Sequence, residues 1–283
     1  MIDVDTGVLG LIGYPLGHSL SPALHNYSLR ELKLNYVYLA FSIKPEELID
    51  AVRGFRALNI RGMNVTIPHK EAVIPLLDEI DPLAKKIGAV NTIVNNKAVF
   101  KGYNTDVPGL IRMIEDDGGF SISGKTAMIA GAGGAARAAG IALLQQGIKE
   151  IYLVNRTVSK AEKLAADWKK YYNTAVITGA LDPDFYSEHI KDIDLLIDTT
   201  PVGMSPEVEV PPVIEEDYLH SNLLVVDLVY NPAETSLLKA ACRSGAQTMN
   251  GMGMLLYQGI ESFKIWTGRD IDVNTWWSIV DNL

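Results

Sequence analysis

Four short polar clusters in the first half of the chain carry side chains that could bind and convert a small molecule. They contain hydroxyls, carboxamides, one amine and one carboxylate, which suit a polyhydroxylated compound and a proton transfer. Each cluster follows a predicted strand. Ligands of open α/β sheets bind beyond the carboxyl ends of the strands, so the clusters can converge on one site. The clusters are Gly17–Pro22, Asn64–Lys70, Gly88–Thr92 and Gly102–Asp106.

Each cluster also has a purely structural interpretation. Ser19 and Ser21 could cap a helix, and Asn91 could be a turn residue at the end of a strand. Lys70 could be a surface lysine, and Asp106 could cap the helix that begins near it. Their occurrence together, in a chain that also carries a glycine-rich turn, favours a binding site.

The glycine-rich turn indicates a dinucleotide site. Gly131-Ala132-Gly133-Gly134-Ala135-Ala136 follows an apolar predicted strand, precedes a predicted helix and has the form G-x-G-x-x-A. Gly131 permits the tight turn, Gly133 lets the backbone approach a pyrophosphate, and Ala136 keeps the helix close to the strand. The free N–H groups at the helix N terminus would bind the phosphates. The alternative is a glycine-rich turn that binds no ligand.

The end of the next predicted strand favours NADP over NAD. A carboxylate about 20 residues after the glycines would bind the ribose 2′-OH of NAD, but this strand ends in Asn155-Arg156-Thr157. Arg156 and Lys160 offer cations, and Thr157 a hydroxyl, to a 2′-phosphate. A solvated surface arginine is the alternative. However, the helix dipole disfavours a cation near a helix start, which argues for an anionic partner.

Composition and charge narrow the function classes. The net charge of −9 and the absence of a basic stripe argue against nucleic-acid binding. No apolar run approaches the roughly 20 residues of a membrane span, and the first residues lack the cations of a secretory signal. The single cysteine, Cys242, excludes an internal disulfide and a cysteine-type zinc site. We therefore expect a cytoplasmic protein, monomer or homodimer, without a metal, whose partner is a small-molecule substrate.

The order of the predicted elements indicates an α/β fold in two domains and a C-terminal segment. In the first half of the chain, strands are expected at Val8–Gly13, Tyr36–Phe41 and Ala89–Val94, and helices at Pro22–Leu32 and Pro45–Ala57. A hairpin turn is expected at Asn95–Lys97. A cleaner alternation follows, with strands expected at Thr126–Ala130, Ile151–Val154, Ala175–Thr178, Leu195–Asp198 and Leu223–Asp227 and helices at Ala135–Gln145 and Ser159–Lys169. Such alternation predicts a doubly wound parallel sheet. The expected domains are 1–105 for the substrate, 106–250 for the dinucleotide and 251–283 as a helical segment.

Eight motifs in order, between about residue 8 and about residue 268, resemble the shikimate dehydrogenase family. The motifs are Ser19–Pro22, Asn64–Lys70, Gly88–Thr92, Gly102–Asp106, Gly131–Arg137, Asn155–Thr157, Asp227–Pro232 and Asn250–Gln258. The resemblance implies NADPH-dependent reduction of 3-dehydroshikimate to shikimate, in aromatic amino acid biosynthesis. It also implies a substrate domain, a Rossmann domain and C-terminal helices that return to the first domain.

The resemblance further implies roles for individual residues. The implied catalytic pair is Lys70 and Asp106. The implied substrate contacts are Ser19, Ser21, Thr66, Asn91, Tyr230 and Gln258. The implied cofactor region comprises Gly131, Ala132, Gly133, Gly134, Ala135, Ala136, Arg137, Asn155, Arg156, Thr157, Lys160, Leu228, Gly251 and Met254. An arginine is common in the family where Lys160 stands. Lys160 still offers a cation to the 2′-phosphate, but its geometry for bidentate binding is poorer than that of an arginine.

Oxidation of a secondary alcohol by NADP⁺ also releases a proton, which a side chain must take. Lys70 can do so if partial burial favours its neutral amine, with Asp106 orienting the amine and the substrate hydroxyl. His69 competes, but on an extended strand it would point to the opposite side. Two alternatives stay open. One is a quinate/shikimate dehydrogenase that uses both acids, and the other is a non-catalytic nucleotide-binding sensor, which the intact Lys70 and Asp106 disfavour.

Overall fold

The computed structural model describes residues 2–17 and 19–282, so His18 of the first polar cluster lies outside the described residues. The chain forms two compact units. The first runs to Thr105 and resumes at Leu256, and the second spans Asp106–Leu255. The second part of the first unit thus begins within a helix, at Leu256.

The first unit begins with a series of short strands and helices. They are β1 Gly7–Gly13, α1 Ser21–Glu31, β2 Tyr36–Ser42, α2 Leu48–Ala57, β3 Gly62–Val65, α3 His69–Ala72, β4 Glu79–Ile80, α4 Pro82–Ile87, β5 Thr92–Asn96 and β6 Val99–Tyr103. The predicted helix at Pro45–Ala57 is a 3₁₀ turn, Pro45–Glu47, followed by α2. The predicted strand at residues 89–94 begins only at Thr92, and the residues before it lie in the binding region described below.

These strands form one mixed sheet in the order β2-β1-β3-β5-β6-β4. Strand β1 pairs in parallel with β2 and β3, whereas β5 runs antiparallel to both β3 and β6. The predicted hairpin is present between β5 and β6, but its turn residues are Lys97 and Ala98, with φ of 52° and 69°. The apolar face of α2, formed by Leu48, Val52 and Phe55, packs into the core on this sheet.

The second unit follows without interruption and alternates strands and helices. Its elements are α5 Asp106–Arg112, β7 Thr126–Ala130, α6 Gly134–Gln145, β8 Glu150–Val154, α7 Val158–Trp168, β9 Ala175–Gly179, α8 Pro183–His189, β10 Leu195–Asp198, β11 Leu224–Asp227, α9 Ser236–Arg243 and β12 Gln247–Asn250. Two helices close the chain, α10 Met252–Thr267 and α11 Val273–Val280.

All six strands of the second sheet are parallel, in the order β12-β11-β10-β7-β8-β9. This is the doubly wound arrangement that the alternation predicted. The strand order reverses between β7 and β10, and ligands of such sheets bind at that point, beyond the carboxyl ends. The small residues of α6 allow close packing: a Cβ at Gly140 would lie 2.0 Å from the Trp168 ring. None of the described helices combines the length and apolar character needed to cross a bilayer.

Candidate functional site

Three of the four polar clusters meet in the first unit through backbone hydrogen bonds. The Val65 N–H donates to the Asn91 carbonyl at 2.8 Å, and the Asn91 N–H donates to the Tyr103 carbonyl at 3.0 Å. The Val90 N–H donates to the Lys70 carbonyl at 2.8 Å. The segments 64–70, 88–92 and 102–105 are therefore fixed relative to one another by the backbone.

Asn91 is buried, with 2% of its surface exposed, and its carboxamide has one orientation. Its Oδ1 faces the backbone N–H of Thr105 at 2.8 Å, and an N–H can only donate, so the oxygen must lie on that side. Its Nδ2 then faces the Thr105 hydroxyl at 2.9 Å and Gln258 Oε1 at 3.4 Å. Gln258 belongs to α10. The structure thus brings together two predicted substrate residues that are far apart in sequence.

Lys70 and its neighbours lie on the short helix α3 rather than on an extended strand. Lys70 is half-buried at the second position of α3, and Thr66 is half-buried just before this helix. His69 is buried, and its ring Nε2 lies 2.7 Å from the Ile43 carbonyl. His69 therefore holds the loop after β2, which explains its burial without a role in proton transfer.

Ser19 and Ser21 lie at the start of α1, where the sequence placed them as possible helix caps. The Ser21 N–H donates to Ser19 Oγ at 3.3 Å, which leaves the hydroxyl hydrogen of Ser19 able to donate to an anion. Ser21 is 8% exposed and is the first residue of the helix. Burial raises the pKa of the neighbouring Tyr38 phenol, and a hydrogen bond from Ser21 partly opposes this.

Asp106 is buried, with 4% of its surface exposed, and it is the first residue of α5. It follows Thr105 directly in the chain, so their Cα atoms are about 3.8 Å apart. Thr105 itself belongs to the Asn91 cluster.

The glycine-rich turn of the second unit has the geometry of a phosphate cradle. Gly131 has φ of +106°, and a Cβ there would lie 2.4 Å from Thr199 Oγ1, so a side chain is excluded. At Gly133 and Gly134 no atom lies within 4 Å of an added Cβ, so the surface above this turn is open. No side chain caps the N terminus of α6. Its first N–H groups are available to an anion.

The cations predicted to recognise a 2′-phosphate lie where β8 ends. Arg156, Thr157 and Lys160 are exposed. Among the described residues, no acidic side chain lies within ion-pair distance of Arg156 or Lys160. Asn155 is half-buried, and its Nδ2 donates to the Thr157 carbonyl at 2.9 Å. Arg137, by contrast, lies 3.5 Å from the Asp167 carboxylate and so contacts α7.

The remaining predicted residues lie at the ends of β11 and β12. Leu228 and Tyr230 are half-buried directly after β11, and burial raises the pKa of the Tyr230 phenol. A Cβ at Gly251 would lie 2.1 Å from the Leu228 carbonyl oxygen, so only glycine fits there. The Met254 N–H faces the Met113 sulfur at 3.2 Å. No group of three or more His, Cys, Asp or Glu within residues 2–17 and 19–282 could hold a metal ion.

Two buried carboxylates to which the sequence assigned no role lie at the same edge of this sheet. Asp198 and Asp227 end the adjacent parallel strands β10 and β11 and are register partners. Their exposed fractions are 1% and 0%. Burial, and then the nearby Asp227 charge, raises the pKa of Asp198 to about 7. Burial also raises the pKa of Asp227, which accepts hydrogen bonds from the Val229 N–H at 2.9 Å and the Thr235 hydroxyl at 2.6 Å.

This pair predicts that Asp198→Asn stabilises the protein at alkaline pH. The pKa of Asp198 is higher in the folded state than in the unfolded state. The folded state therefore becomes less stable as the pH rises from 3.8, the ordinary pKa of an aspartate, through about 7, the pKa of folded Asp198. An amide keeps the shape and carries no charge. We expect the free energy of unfolding to increase by roughly 2–4 kcal/mol at pH 8, with little difference near pH 4. Urea unfolding at both pH values measures this, and the exposed Glu209→Gln is the control. Equal stability of Asp198→Asn and the native protein at pH 8 would contradict the prediction.

Comparison with known proteins identifies the family. Residues 11–93 match the model of the shikimate dehydrogenase substrate binding domain, residues 113–228 that of shikimate / quinate 5-dehydrogenase, and residues 251–275 that of the shikimate 5′-dehydrogenase C-terminal domain. The shikimate dehydrogenase (NADP(+)) of Halothermothrix orenii is 55% identical over 269 residues, 95% of this chain and 93% of that protein.

Solved structures agree in fold over nearly the whole chain. A shikimate dehydrogenase in complex with NADP⁺ is 42% identical, with a TM-score of 0.91 over 100% of this chain and 97% of that one. Shikimate 5-dehydrogenase from Listeria monocytogenes, in complex with shikimate and NAD, is 39% identical, with a TM-score of 0.90 over 99% and 98%. With this coverage and identity, added to the polar cluster and the glycine-rich turn, the chain belongs to the shikimate dehydrogenase family.

Proposed function

We propose that this protein is an NADP-dependent shikimate dehydrogenase, which interconverts shikimate and 3-dehydroshikimate by reversible hydride transfer. The observation that carries the proposal is that one chain combines a buried polar cluster around Asn91 and Gln258 with an open dinucleotide turn. The first supplies amide and hydroxyl groups for a polyhydroxylated ring. The second supplies the phosphate cradle of a nicotinamide cofactor. In the chorismate pathway this activity serves aromatic amino acid biosynthesis.

The residues of the second unit fit NADP(H). The uncapped N terminus of α6 and the open surface at Gly133 and Gly134 suit the pyrophosphate. Arg156, Thr157 and Lys160 would hold the 2′-phosphate, and Asn155 the adjoining ribose. Leu228, Gly251 and Met254 would complete the cofactor site. When bound, the cofactor accepts or donates the hydride.

Lys70 carries the proton in this proposal, and Asp106 holds the Lys70 amine and the reacting hydroxyl in place. When the ketone is reduced, the Lys70 ammonium donates to the ketone oxygen as negative charge develops on it. When the alcohol is oxidised, the neutral amine accepts the hydroxyl proton. Asp106 is buried, and a buried carboxylate would act on a neighbouring amine with little screening by water.

Six residues would bind the substrate in this proposal. The ring carries a carboxylate and several hydroxyls, and each needs a complementary group. Ser19 and Ser21 would bind the carboxylate, since both lie at the start of α1, where the helix dipole favours an anion. The residues for the hydroxyls are Thr66, Asn91, Tyr230 and Gln258.

The direct test measures NADP⁺ reduction by absorbance, with shikimate and quinate compared side by side. We expect turnover with shikimate and a much lower kcat/KM with quinate. Comparable values for both acids would favour the dual-specificity enzyme that the sequence left open. Tight NADP⁺ binding without turnover of either acid would instead favour the nucleotide-binding sensor.

The serine pair gives a separate prediction. Ser19→Ala removes a hydroxyl that is placed to donate to an anion, so KM for shikimate should rise about tenfold, the effect of one hydrogen bond. KM for NADP⁺ should stay within about twofold, because the cofactor residues are untouched. The measurement is the pair of KM values in the single variants and in Ser19→Ala/Ser21→Ala. An unchanged shikimate KM in the double variant would remove both serines from the site.

A further inference from the structure

Ser262 of α10 lies at the centre of a buried network of polar side chains in the first unit. Its side chain has no exposed surface. Its Oγ lies 2.8 Å from Thr92 Oγ1 and 3.1 Å from Thr105 Oγ1. It also accepts from Asn64 Nδ2 at 3.0 Å and donates to the Gln258 carbonyl at 2.9 Å. One hydroxyl thus bonds α10 to β3 and to β5 and lies close to the segment after β6.

The protons of this network can be assigned. Ser262 has one hydrogen, which goes to the Gln258 carbonyl because a carbonyl only accepts. At 2.8 Å, Thr92 must therefore donate to Ser262. With the bond from Asn64, this fills both acceptor positions of Ser262. The Thr92 hydrogen is then not available to Asn91 Oδ1, which lies 3.1 Å away.

These proton positions determine which groups can donate to the Asn91 side chain. Its Oδ1 is left to the Thr105 N–H and the Thr105 hydroxyl, at 2.8 and 3.2 Å. The carboxamide is held flat against Thr105, and its Nδ2 faces Gln258. Asn64 is fixed as well, because its Nδ2 donates to the Asn91 carbonyl while its Oδ1 accepts from the Tyr38 hydroxyl at 2.7 Å.

We propose that Ser262 is a positioning residue for substrate recognition. It never touches the substrate, but it anchors the face of α10 that carries Gln258 and it withholds the Thr92 hydrogen from Asn91. The amides of Asn91 and Gln258 are then presented in one orientation to the ring hydroxyls. This inference rests on the proposed function, and its consequence is specific: loss of the Ser262 hydroxyl weakens binding of the acid and leaves cofactor binding unchanged.

The test is steady-state kinetics of Ser262→Ala with shikimate and NADP⁺. Without the Ser262 hydroxyl, Thr92 turns its hydrogen toward Asn91 Oδ1 and competes with Thr105. We expect KM for shikimate to rise about tenfold, as for one lost hydrogen bond. The value of kcat should change less than threefold, and KM for NADP⁺ less than twofold.

Thr267→Val is the matched control. Thr267 lies on the same helix and makes the same bond, from its hydroxyl to the carbonyl four residues earlier, at 2.8 Å to Phe263. It has no bond to the Ser262 network among the described residues. Thr267→Val should leave KM for shikimate unchanged. An equal rise in Thr267→Val would show that helix stability, not the network, causes the effect, and would overturn the inference.

Variants of Thr92 keep the inference testable if Ser262→Ala fails to fold. Thr92→Val keeps the shape but removes the hydrogen bond that ties Ser262 of α10 to β5, so it should raise KM for shikimate, whereas Thr92→Ser keeps the hydroxyl and should leave KM near the native value. The double variant Ser262→Ala/Thr92→Val should be no worse than the poorer single variant. An unchanged KM for shikimate in Ser262→Ala or in Thr92→Val would overturn the inference. The proposed function would still stand in that case if the native protein turned over shikimate. A native protein inactive with shikimate would overturn both.

Discussion

Lys70→Ala is expected to lower kcat for shikimate oxidation by roughly 10²–10⁴-fold, the usual contribution of a positioned acid and base. KM for shikimate should change much less, because Asn91, Gln258 and the serines remain. The half-buried position of Lys70 on α3 supports a folded variant. Stopped-flow or steady-state absorbance gives kcat, and circular dichroism checks folding.

Two further variants show whether Lys70 acts through its positive charge or through proton transfer. The first keeps the charge, and the second is a control. Lys70→Arg keeps a cation that cannot lose its proton near neutral pH, so its kcat should stay low. Lys85→Ala removes an exposed lysine from α4 of the same unit and should keep native kcat. If Lys70→Ala retained more than a tenth of native kcat, Lys70 would not be the proton carrier.

Asp106→Asn tests the same pair from the other side. An amide cannot hold the Lys70 ammonium by charge, so a loss of similar size is expected. If the two side chains act as a unit, Lys70→Ala/Asp106→Asn should be little worse than either single variant. Multiplicative losses would indicate that Lys70 and Asp106 act in separate steps.

Arg156→Ala is expected to remove most of the preference for NADP over NAD. A charge-assisted hydrogen bond contributes roughly 1.5–3 kcal/mol, and Arg156 and Lys160 together should make NADP about 100-fold better in kcat/KM. Arg156 is exposed, so NAD leaves it solvated rather than buried without a partner. The variant should therefore weaken NADP and scarcely alter NAD.

The measurement is kcat/KM for both cofactors at saturating shikimate, in the native protein and in Arg156→Ala. Lys163→Ala is the control, because it removes the same charge from an exposed position further along α7. It should leave the preference within about twofold. A native protein that prefers NAD, or an Arg156→Ala variant that loses both cofactors equally, would contradict the assignment of Arg156 to the 2′-phosphate.

The sequence by itself determined the fold class of the second unit. Buried parallel strands are continuous apolar runs, and glycine-rich turns and helix starts separate them, so many of these elements leave a local pattern. The helices α8 and α9 and the strand β12 were not predicted. Thr126–Ala130 was predicted to the residue, and the parallel order followed from the alternation. The types of the candidate site residues were also visible, because Lys70, Asn91 and Asp106 stand in short polar motifs between apolar segments.

Other features were decided only by the tertiary structure. Lys70 was predicted on a strand but lies on α3, because that helix is only four residues long and has no periodicity to detect. Asp198 and Asp227 each end an apolar run, which the sequence shows, but their pairing depends on the register of two strands that are distant in sequence. Ser262 looked like any serine in a helix. Its proposed role depends on the Thr92 hydroxyl and the Asn64 amide, which other elements bring to it. Such long-range contacts leave no local pattern in the chain.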